Sequence, residues 1–196
     1  KLTNLGYNLF IHVINDGSTD NTGKLVNEYG NVIIITHKKN KGLGAAVRAG
    51  LLSANKVKAD VVIKYDADLQ HEPFDIINLI KPIHTDEADV VYGNRFEKMS
   101  YKMPFVRRIG NKVFTSLMRW LTGWPIMDSQ PGIFAVNNEF LSNFYLPGDY
   151  NYTQQILLDA YHRQLRFSHV TVSFNKRDKG QSFISLSYPF KVIPQI

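Results

Sequence analysis

The sequence predicts an α/β fold in which a mostly parallel sheet is flanked by helices. Short apolar runs alternate with amphipathic helical segments from residue 8 to residue 96. The runs are almost continuously apolar, which is typical of strands in a parallel sheet covered on both faces. No segment has the composition of a linker. We therefore predict one domain over residues 1–196.

The first four strands are predicted because each is a short apolar run rich in β-branched residues. They are expected at residues 8–16, 31–37, 59–68 and 88–96. Three helices separate them. The first should begin near Ser18–Asp20, whose side chains can cap a helix, with Leu25 and Tyr29 on one side. The others are expected within residues 38–55 and 72–83.

The second half of the chain is less regular. A long amphipathic stretch at 103–121 predicts a helix. A further helix is expected at 152–164 and a strand at 167–174, followed by a basic loop at 175–182. Residues 122–151 show no clear period, and we predict no element there.

Composition narrows the function classes. The chain has 196 residues with 44% hydrophobic and 20% charged residues, a globular profile. It has no cysteine, which excludes a disulfide scaffold and a thiolate metal site. No apolar run is long enough to span a membrane, and no signal-peptide pattern begins the chain. The net charge of +6 fits a plain basic surface or an anionic partner.

Charged residues follow the predicted strands at the edge where ligands bind. The first strand ends at Asp16, the third at Asp66 and Asp68, and the fourth at Arg95. In an open parallel sheet, ligands bind beyond the carboxyl ends of the strands. Topology therefore predicts that these side chains form one cluster.

Asp66 and Asp68 are predicted to bind a metal ion. Residues two apart on an extended segment point to the same side, so the two carboxylates should converge. Like charges at close range favour a compensating cation, and carboxylates suit Mg²⁺ or Mn²⁺. Gln70 offers a further oxygen. The alternative is a pair of solvated acids before a helix.

Several motifs together resemble the family-2 glycosyltransferases of GT-A fold. The likeness is strongest to dolichyl-phosphate mannosyltransferases and bacterial polyprenyl-phosphate glycosyltransferases, and it covers nearly the whole chain. The motifs that carry it are VINDGSTDNT at 13–22, NKGLGAAVRAG at 40–50, YDADLQHEP at 65–73, VVYGNRF at 90–96, PFVRRIGNKVF at 104–114, DSQPGIFAV at 128–136 and RDKGQS at 177–182.

This resemblance implies a nucleotide-sugar site. Asp16 would contact the nucleoside of a GDP- or UDP-linked sugar. Asp66 and Asp68 would bind the metal, with Gln70 at a third ligand position. Arg95 would contact phosphate. The family's opening strand is absent here, as is its C-terminal continuation, so we expect an incomplete catalytic domain.

The resemblance also implies an acceptor side. Arg95 and Arg108 match arginines directed at donor or acceptor phosphates, and Asp128 begins a segment beside the sugar and acceptor. The loop containing Arg177 and Ser182 would close over the acceptor phosphate. The predicted catalytic residues are Asp68, Arg95, Arg108 and Asp128.

A glycine loop precedes the second predicted helix. The residues GLGAAV at 42–47 are similar to a dinucleotide fingerprint, but Val47 stands at its third glycine position. A dehydrogenase is therefore disfavoured. Close helix packing explains the glycines, and Gly42 is expected to shape the nucleotide pocket.

Residues 98–123 combine basic and apolar side chains, and the apolar ones extend beyond a single stripe along the predicted helix. One interpretation is a core helix with a solvated basic face. The other, which we favour, is an interfacial helix at anionic headgroups. No nucleic-acid-binding module is recognised. We expect the protein at the cytoplasmic face of a membrane, peripheral or tethered.

The predicted function is metal-dependent, inverting transfer of a sugar from a nucleoside diphosphate to a polyprenyl or dolichyl phosphate. An ionised phosphate acceptor needs no strong general base. A saccharide hydroxyl acceptor would need one, and Asp128 is the candidate. The alternatives are a nucleotidyltransferase and an inactive nucleotide-binding module.

Overall fold

The computed structural model describes residues 2–101, 103–149 and 151–176, apart from the side chains of Val106 and Arg107. A 3₁₀ turn at Thr3–Leu5 comes first. The strands are β1 (Ile11–Asn15), β2 (Val32–Thr36), β3 (Val61–Lys64), β4 (Val90–Met99), β5 (Phe134–Asn137) and β6 (Phe167–Phe174). The helices are α1 (Thr22–Asn27), α2 (Leu43–Lys56), α3 (Asp75–His84), α4 (Phe105–Thr122), α5 (Asn138–Ser142) and α6 (Tyr152–His162).

The strands form two sheets. β1 pairs with β2 in a parallel two-stranded sheet, and the second sheet has the order β3-β5-β4-β6. β4 and β6 are parallel, but β5 is antiparallel to both of its neighbours. The predicted α/β fold is confirmed, and antiparallel β5 is a strand that the sequence analysis did not predict. β5 comes shortly after Pro131 and Gly132 and has only four residues, too few to show the pattern that predicts a strand.

Both faces of the larger sheet are covered, as predicted. Along β4, Val90 and Tyr92 enter a core beneath α2, α4 and α6, while Val91 enters a second core beneath α3. β5 alternates likewise, with Phe134 in the first core and Ala135 in the second. The alternation follows from the two-residue period of a strand.

Helix α2 connects the two sheets. It packs against both β1 and β3. Its residues Val47 and Leu51 are buried, whereas its Leu52 is about half exposed. The side chain of Arg48 reaches across to the loop before α6, where it donates to the carbonyl of Leu146 at 2.7 Å and to Asp149 at 2.6 Å. Arg48 therefore anchors this helix to the loop.

Helix α1 is shorter and more exposed than predicted. Leu25 and Tyr29 lie largely in solvent, and Tyr29 follows the helix. Asp20 accepts a hydrogen bond from the Thr22 amide at 3.0 Å, so an expected capping side chain does serve the first turn. The side on which Leu25 and Tyr29 were expected is therefore exposed.

No helix among the described residues is both long enough and apolar enough to cross a membrane.

Candidate active site

The predicted site residues follow or interrupt three strands. Asp16 comes directly after β1, and Asp66 and Asp68 follow the end of β3 at Lys64. Arg95 does not end its strand, because β4 continues to Met99. The pairing of β4 with β6 is irregular between Asn94 and Lys98, and Arg95 lies in this interval. Such irregularities redirect side chains near functional sites.

Asp16 is fixed by the loop before α2. Its carboxylate contacts the His37 ring at 2.7 Å and accepts from the amides of Lys41 and Gly42, each at 2.9 Å. Burial raises the pKa of Asp16, but the His37 contact and the two amides outweigh it, so the pKa lies below its usual range. Asp16 is thus held as an anion.

Two glycines shape this loop for close contact. Gly42 has a φ of 94°, a backbone conformation that side chains disfavour, and its amide turns toward Asp16. A Cβ on Gly17 would lie 2.4 Å from the backbone of Asn40. The two loops that frame Asp16 can therefore approach each other directly.

Asp66 is paired with a lysine that the sequence analysis did not single out. The Lys64 ammonium donates to Asp66 Oδ1 at 2.6 Å and to the Gly132 carbonyl at 2.9 Å. It also lies 5.7 Å from the ring centre of buried Tyr152. The Lys64 side chain is only 11% exposed. Burial lowers the pKa of Lys64, but Tyr152 and Asp66 raise it by more than burial lowers it. The pKa therefore lies above its usual value, and this lysine stays charged.

Asp68 and Gln70 lie in the bend after β3. Asp68 accepts from the Gln70 amide at 3.2 Å. Gln70 is buried, and its side-chain nitrogen donates to the Asn175 carbonyl at 2.9 Å. A glutamine whose nitrogen is used in this way presents its oxygen elsewhere. The strand ends before Asp66, so the extended geometry that we assumed for the two acids does not hold.

His71 is buried beside Asp66. Its Nδ1 donates to the Ser173 carbonyl at 3.1 Å, while its Nε2 has no hydrogen-bond partner among the described residues. A Cβ on Gly132 would lie 2.4 Å from that Nε2, so this glycine makes room for the ring. Burial lowers the pKa of His71 and favours the neutral ring.

Arg95 and Asp128 form a buried ion pair. Arg95 donates to both carboxylate oxygens of Asp128, at 2.7 and 3.1 Å. Asp128 also accepts from the Asn111 side chain at 2.8 Å and the Gln130 amide at 3.0 Å. The Arg95 guanidinium lies 5.1 Å from the ring centre of Phe174. Asp128 is thus saturated with donors, an arrangement suited to holding Arg95.

No hydrogen bond or ion pair among the described residues joins Asp16 or Arg108 to the residues around Asp66 and Arg95. Arg108 is exposed near the start of α4. Arg177 and Ser182 fall outside the residues that the structure describes. Within the described ranges, no three histidine or acidic side chains are arranged to hold a metal ion by themselves.

Comparison with known proteins decides the family. The sequence model described as glycosyl transferase family 2 matches residues 2–144. The chain belongs to glycosyl transferase family 2. The membership predicted from the motifs is therefore confirmed.

Two family 2 relatives illustrate the similarity. A UDP-N-acetylglucosamine–dolichyl-phosphate N-acetylglucosaminyltransferase of Methanococcus voltae is 34% identical, over 72% of this chain and 63% of the relative. A dolichol-phosphate mannosyltransferase of Pyrococcus furiosus is 30% identical, over 90% of this chain and 51% of the relative. The chain therefore spans less than two thirds of either relative.

A solved structure gives the same fold. Glucosyl-3-phosphoglycerate synthase of Mycobacterium tuberculosis, determined with Mn²⁺, UDP-glucose and phosphoglyceric acid, superimposes with a TM-score of 0.66. It is 19% identical, and the match covers 87% of this chain and 61% of that one. The predicted GT-A fold of this family 2 chain is confirmed.

Sequence reasoning missed three residues of the candidate site. Lys64 had a usable signal, since it stands two residues before Asp66 within the strand predicted at 59–68, and that spacing would place both side chains on one side. Asn111 and Tyr152 had none, because ordinary helical positions do not show that they reach Asp128 or Lys64 across the fold.

Proposed function

We propose that this chain transfers a sugar from a nucleoside diphosphate to a polyprenyl or dolichyl phosphate, with a divalent metal ion. The observation that carries the proposal is the carboxylate pair Asp66 and Asp68 after β3. His71, which lies beside Asp66, packs against the same Phe174 ring as Arg95, and buried Asp128 holds that arginine. The names of the Methanococcus and Pyrococcus relatives support the lipid phosphate acceptor.

The residues present fit Mg²⁺ or Mn²⁺ recruited together with substrate. Asp66 and Asp68 supply carboxylate oxygens, and Gln70 can supply an amide oxygen. Ions of this type are commonly bound through one or two carboxylates, with waters and substrate phosphates completing the shell. The lack of a three-ligand group among the described residues agrees with that mode. When bound, the ion would neutralise charge on the leaving diphosphate.

The donor would lie across the strand ends. Asp16, held as an anion beside Gly42, is suited to accept hydrogen bonds from the nucleoside. Both UDP and GDP remain candidates within this proposal. The Methanococcus relative's name and the UDP-glucose of the Mycobacterium structure support UDP.

The chemical step follows from these charges. An oxygen of the acceptor phosphate attacks the anomeric carbon, while the bond from that carbon to the diphosphate oxygen breaks. The electron pair leaves with the nucleoside diphosphate, and the configuration inverts. Arg95, oriented by Asp128, would stabilise the negative charge that moves between the two phosphates. Saturation of Asp128 by its donors disfavours a general-base role, which supports a phosphate acceptor over a hydroxyl.

The acceptor side would include α4. Arg108 is exposed there and is available to an acceptor phosphate. Arg177 and Ser182 stay predictions for the same side.

We also propose that α4 lies on a membrane surface. Its inner face is buried through Phe114 and Met118, yet large apolar side chains also cover its outer face. These are Phe105 (76% exposed), Ile109 (46%), Val113 (59%) and Trp120 (79%). Exposed Arg108 and Lys112 lie beside that stripe. Apolar residues next to cations suit acyl chains and anionic headgroups.

The test is transfer of radiolabelled sugar to dolichyl phosphate, from UDP-N-acetylglucosamine and from GDP-mannose, with and without Mn²⁺. Asp68→Asn should lower metal-dependent transfer at least a hundredfold, because the charge that retains the ion is lost. Asp60→Asn removes an exposed aspartate at the other end of β3 and should retain full activity. Equal transfer by Asp68→Asn and the unaltered protein would refute the site, and transfer to a saccharide instead of the lipid would refute the acceptor.

A further inference from the structure

A lysine is built into the proposed metal site. Lys64 contacts Asp66 Oδ1 at 2.6 Å, and Asp66 is one of the two carboxylates offered to the ion. The Gly132 carbonyl accepts a second hydrogen bond from the ammonium at 2.9 Å, the ring of Tyr152 lies against it, and the Lys64 side chain is buried. Any cation bound by Asp66 would therefore have this ammonium as a close neighbour.

Lys64 differs in this respect from the other buried cation nearby. The charge of Arg95 is balanced by Asp128, which forms no part of the proposed metal ligand set. The partner of Lys64 is itself a proposed metal ligand. Lys64 thus competes for an oxygen of Asp66, and its charge repels a second cation bound to that carboxylate.

When a diphosphate is bound, Lys64 favours binding at this site instead of opposing it. The same ammonium that repels a lone divalent ion attracts the polyanion that the ion must bridge. With diphosphate present, the ion gains phosphate oxygens, and Lys64 gains a further anionic neighbour. Binding of the ion and binding of the nucleotide should then strengthen each other equally, as linkage requires.

We propose that Lys64 makes cation binding at Asp66 and Asp68 dependent on the nucleoside diphosphate. This inference rests on the proposed function, since it takes Asp66 and Asp68 as metal ligands. In this arrangement the protein holds little metal until the donor arrives, and ion and donor are retained together.

The experiment measures Mn²⁺ bound to the full chain by electron paramagnetic resonance, at equal free Mn²⁺, alone and with UDP or GDP. The unaltered protein should bind Mn²⁺ at least tenfold more tightly when the favoured nucleotide is present. Lys64→Gln keeps amide donors for Asp66 and Gly132 but removes the charge, and it should bind Mn²⁺ alone at least tenfold more tightly than the unaltered protein.

Two variants serve as controls. Lys56→Gln removes the same charge from an exposed position at the end of α2 and should change Mn²⁺ binding less than twofold. Lys64→Arg keeps the charge and should keep Mn²⁺ binding weak without nucleotide. Thermal unfolding checks that each variant is folded.

The outcomes separate this inference from the function beneath it. If Lys64→Gln is folded and binds Mn²⁺ alone no more tightly than the unaltered protein does, the role of Lys64 is overturned. If Lys64→Gln does not fold, the test is made on the unaltered protein alone. Equal Mn²⁺ affinity with and without nucleotide then overturns the inference. If no nucleotide brings about Mn²⁺ binding that Asp68→Asn abolishes, the proposed metal site itself is wrong.

Discussion

At the scale of single residues, the site depends on how each charge is compensated. Asp128 is fully enclosed and meets three donor groups, from Arg95, Asn111 and Gln130. Asp16 meets a histidine and two amides. Each carboxylate is therefore held by several partners, so that removing the carboxylate charge should cost more than a surface pair would.

Replacing Asp128 tests the buried pair. Asp128→Asn leaves the Arg95 guanidinium buried without its counterion, and breaking such a pair typically costs about 3–5 kcal/mol. Urea unfolding followed by circular dichroism should show a loss of this size. Asp86→Asn is the matched control, because Asp86 pairs with Arg166 at an exposed position and its loss should have little effect. A similar small effect at Asp128 would contradict the buried pair.

The contacts of Asp16 predict that the stability of the folded protein depends on pH. Because its folded-state pKa is lowered, its contribution to stability is full above the unfolded pKa of about 3.9. That contribution is lost as the pH falls through the lower, folded-state value. The unfolding free energy should therefore decline more steeply below about pH 5 in the unaltered protein than in Asp16→Asn. Parallel curves, measured by urea titration at each pH, would show that the pairing is absent in solution.

At the scale of elements, α2 illustrates how closely a helix approaches its neighbours. It contacts both sheets and accepts the 146–149 loop against its first turn. The Gly44 amide donates to the Asp149 carbonyl at 3.1 Å. This contact is possible only because residue 44 has no side chain.

Two glycines of α2 make a matched pair. A Cβ on Gly44 would lie 2.5 Å from the Asp149 carbonyl oxygen, so Gly44→Ala should cost about 1–3 kcal/mol through overpacking. A Cβ on Gly50 would meet Ile14 at 3.5 Å, an ordinary contact. Gly50→Ala should be neutral or gain up to about 1 kcal/mol, because alanine favours helix. Equal effects in thermal unfolding would contradict the close approach at Gly44.

At the scale of the whole molecule, α4 has two faces with different roles. Its inner face carries Asn111 to the buried Asp128, and its outer face is apolar and basic. One helix therefore joins the proposed site to the proposed membrane surface.

The outer face predicts a measurable affinity for lipid. Ile109→Ser with Trp120→Ser should reduce sedimentation with phosphatidylserine vesicles at least tenfold, since apolar burial contributes most of such binding. Leu52→Ser alters a similarly exposed apolar residue on α2 and should leave vesicle binding unchanged. Binding that survives the double substitution, or that Leu52→Ser also removes, would place the contact elsewhere.

The sequence by itself determined the described strands other than β5, and it placed Asp16, Asp66 and Asp68 at or after the ends of predicted strands. These follow from local patterns, because a strand's apolar run and the acid after it are neighbours in the chain. The α4, α6 and β6 predictions agree closely with the structure for the same reason. The amphipathic period of α4 also predicted that apolar residues lie on more than one face.

Only the tertiary structure decided which charges meet. Arg95 and Asp128 are 33 residues apart, and Lys64 and Gly132 are 68 apart. The insertion of antiparallel β5 between β3 and β4 brings the segment that follows Asp128 across the end of β3, so Gly132 meets both Lys64 and His71. No local period encodes such contacts, because they depend on which strand lies beside which.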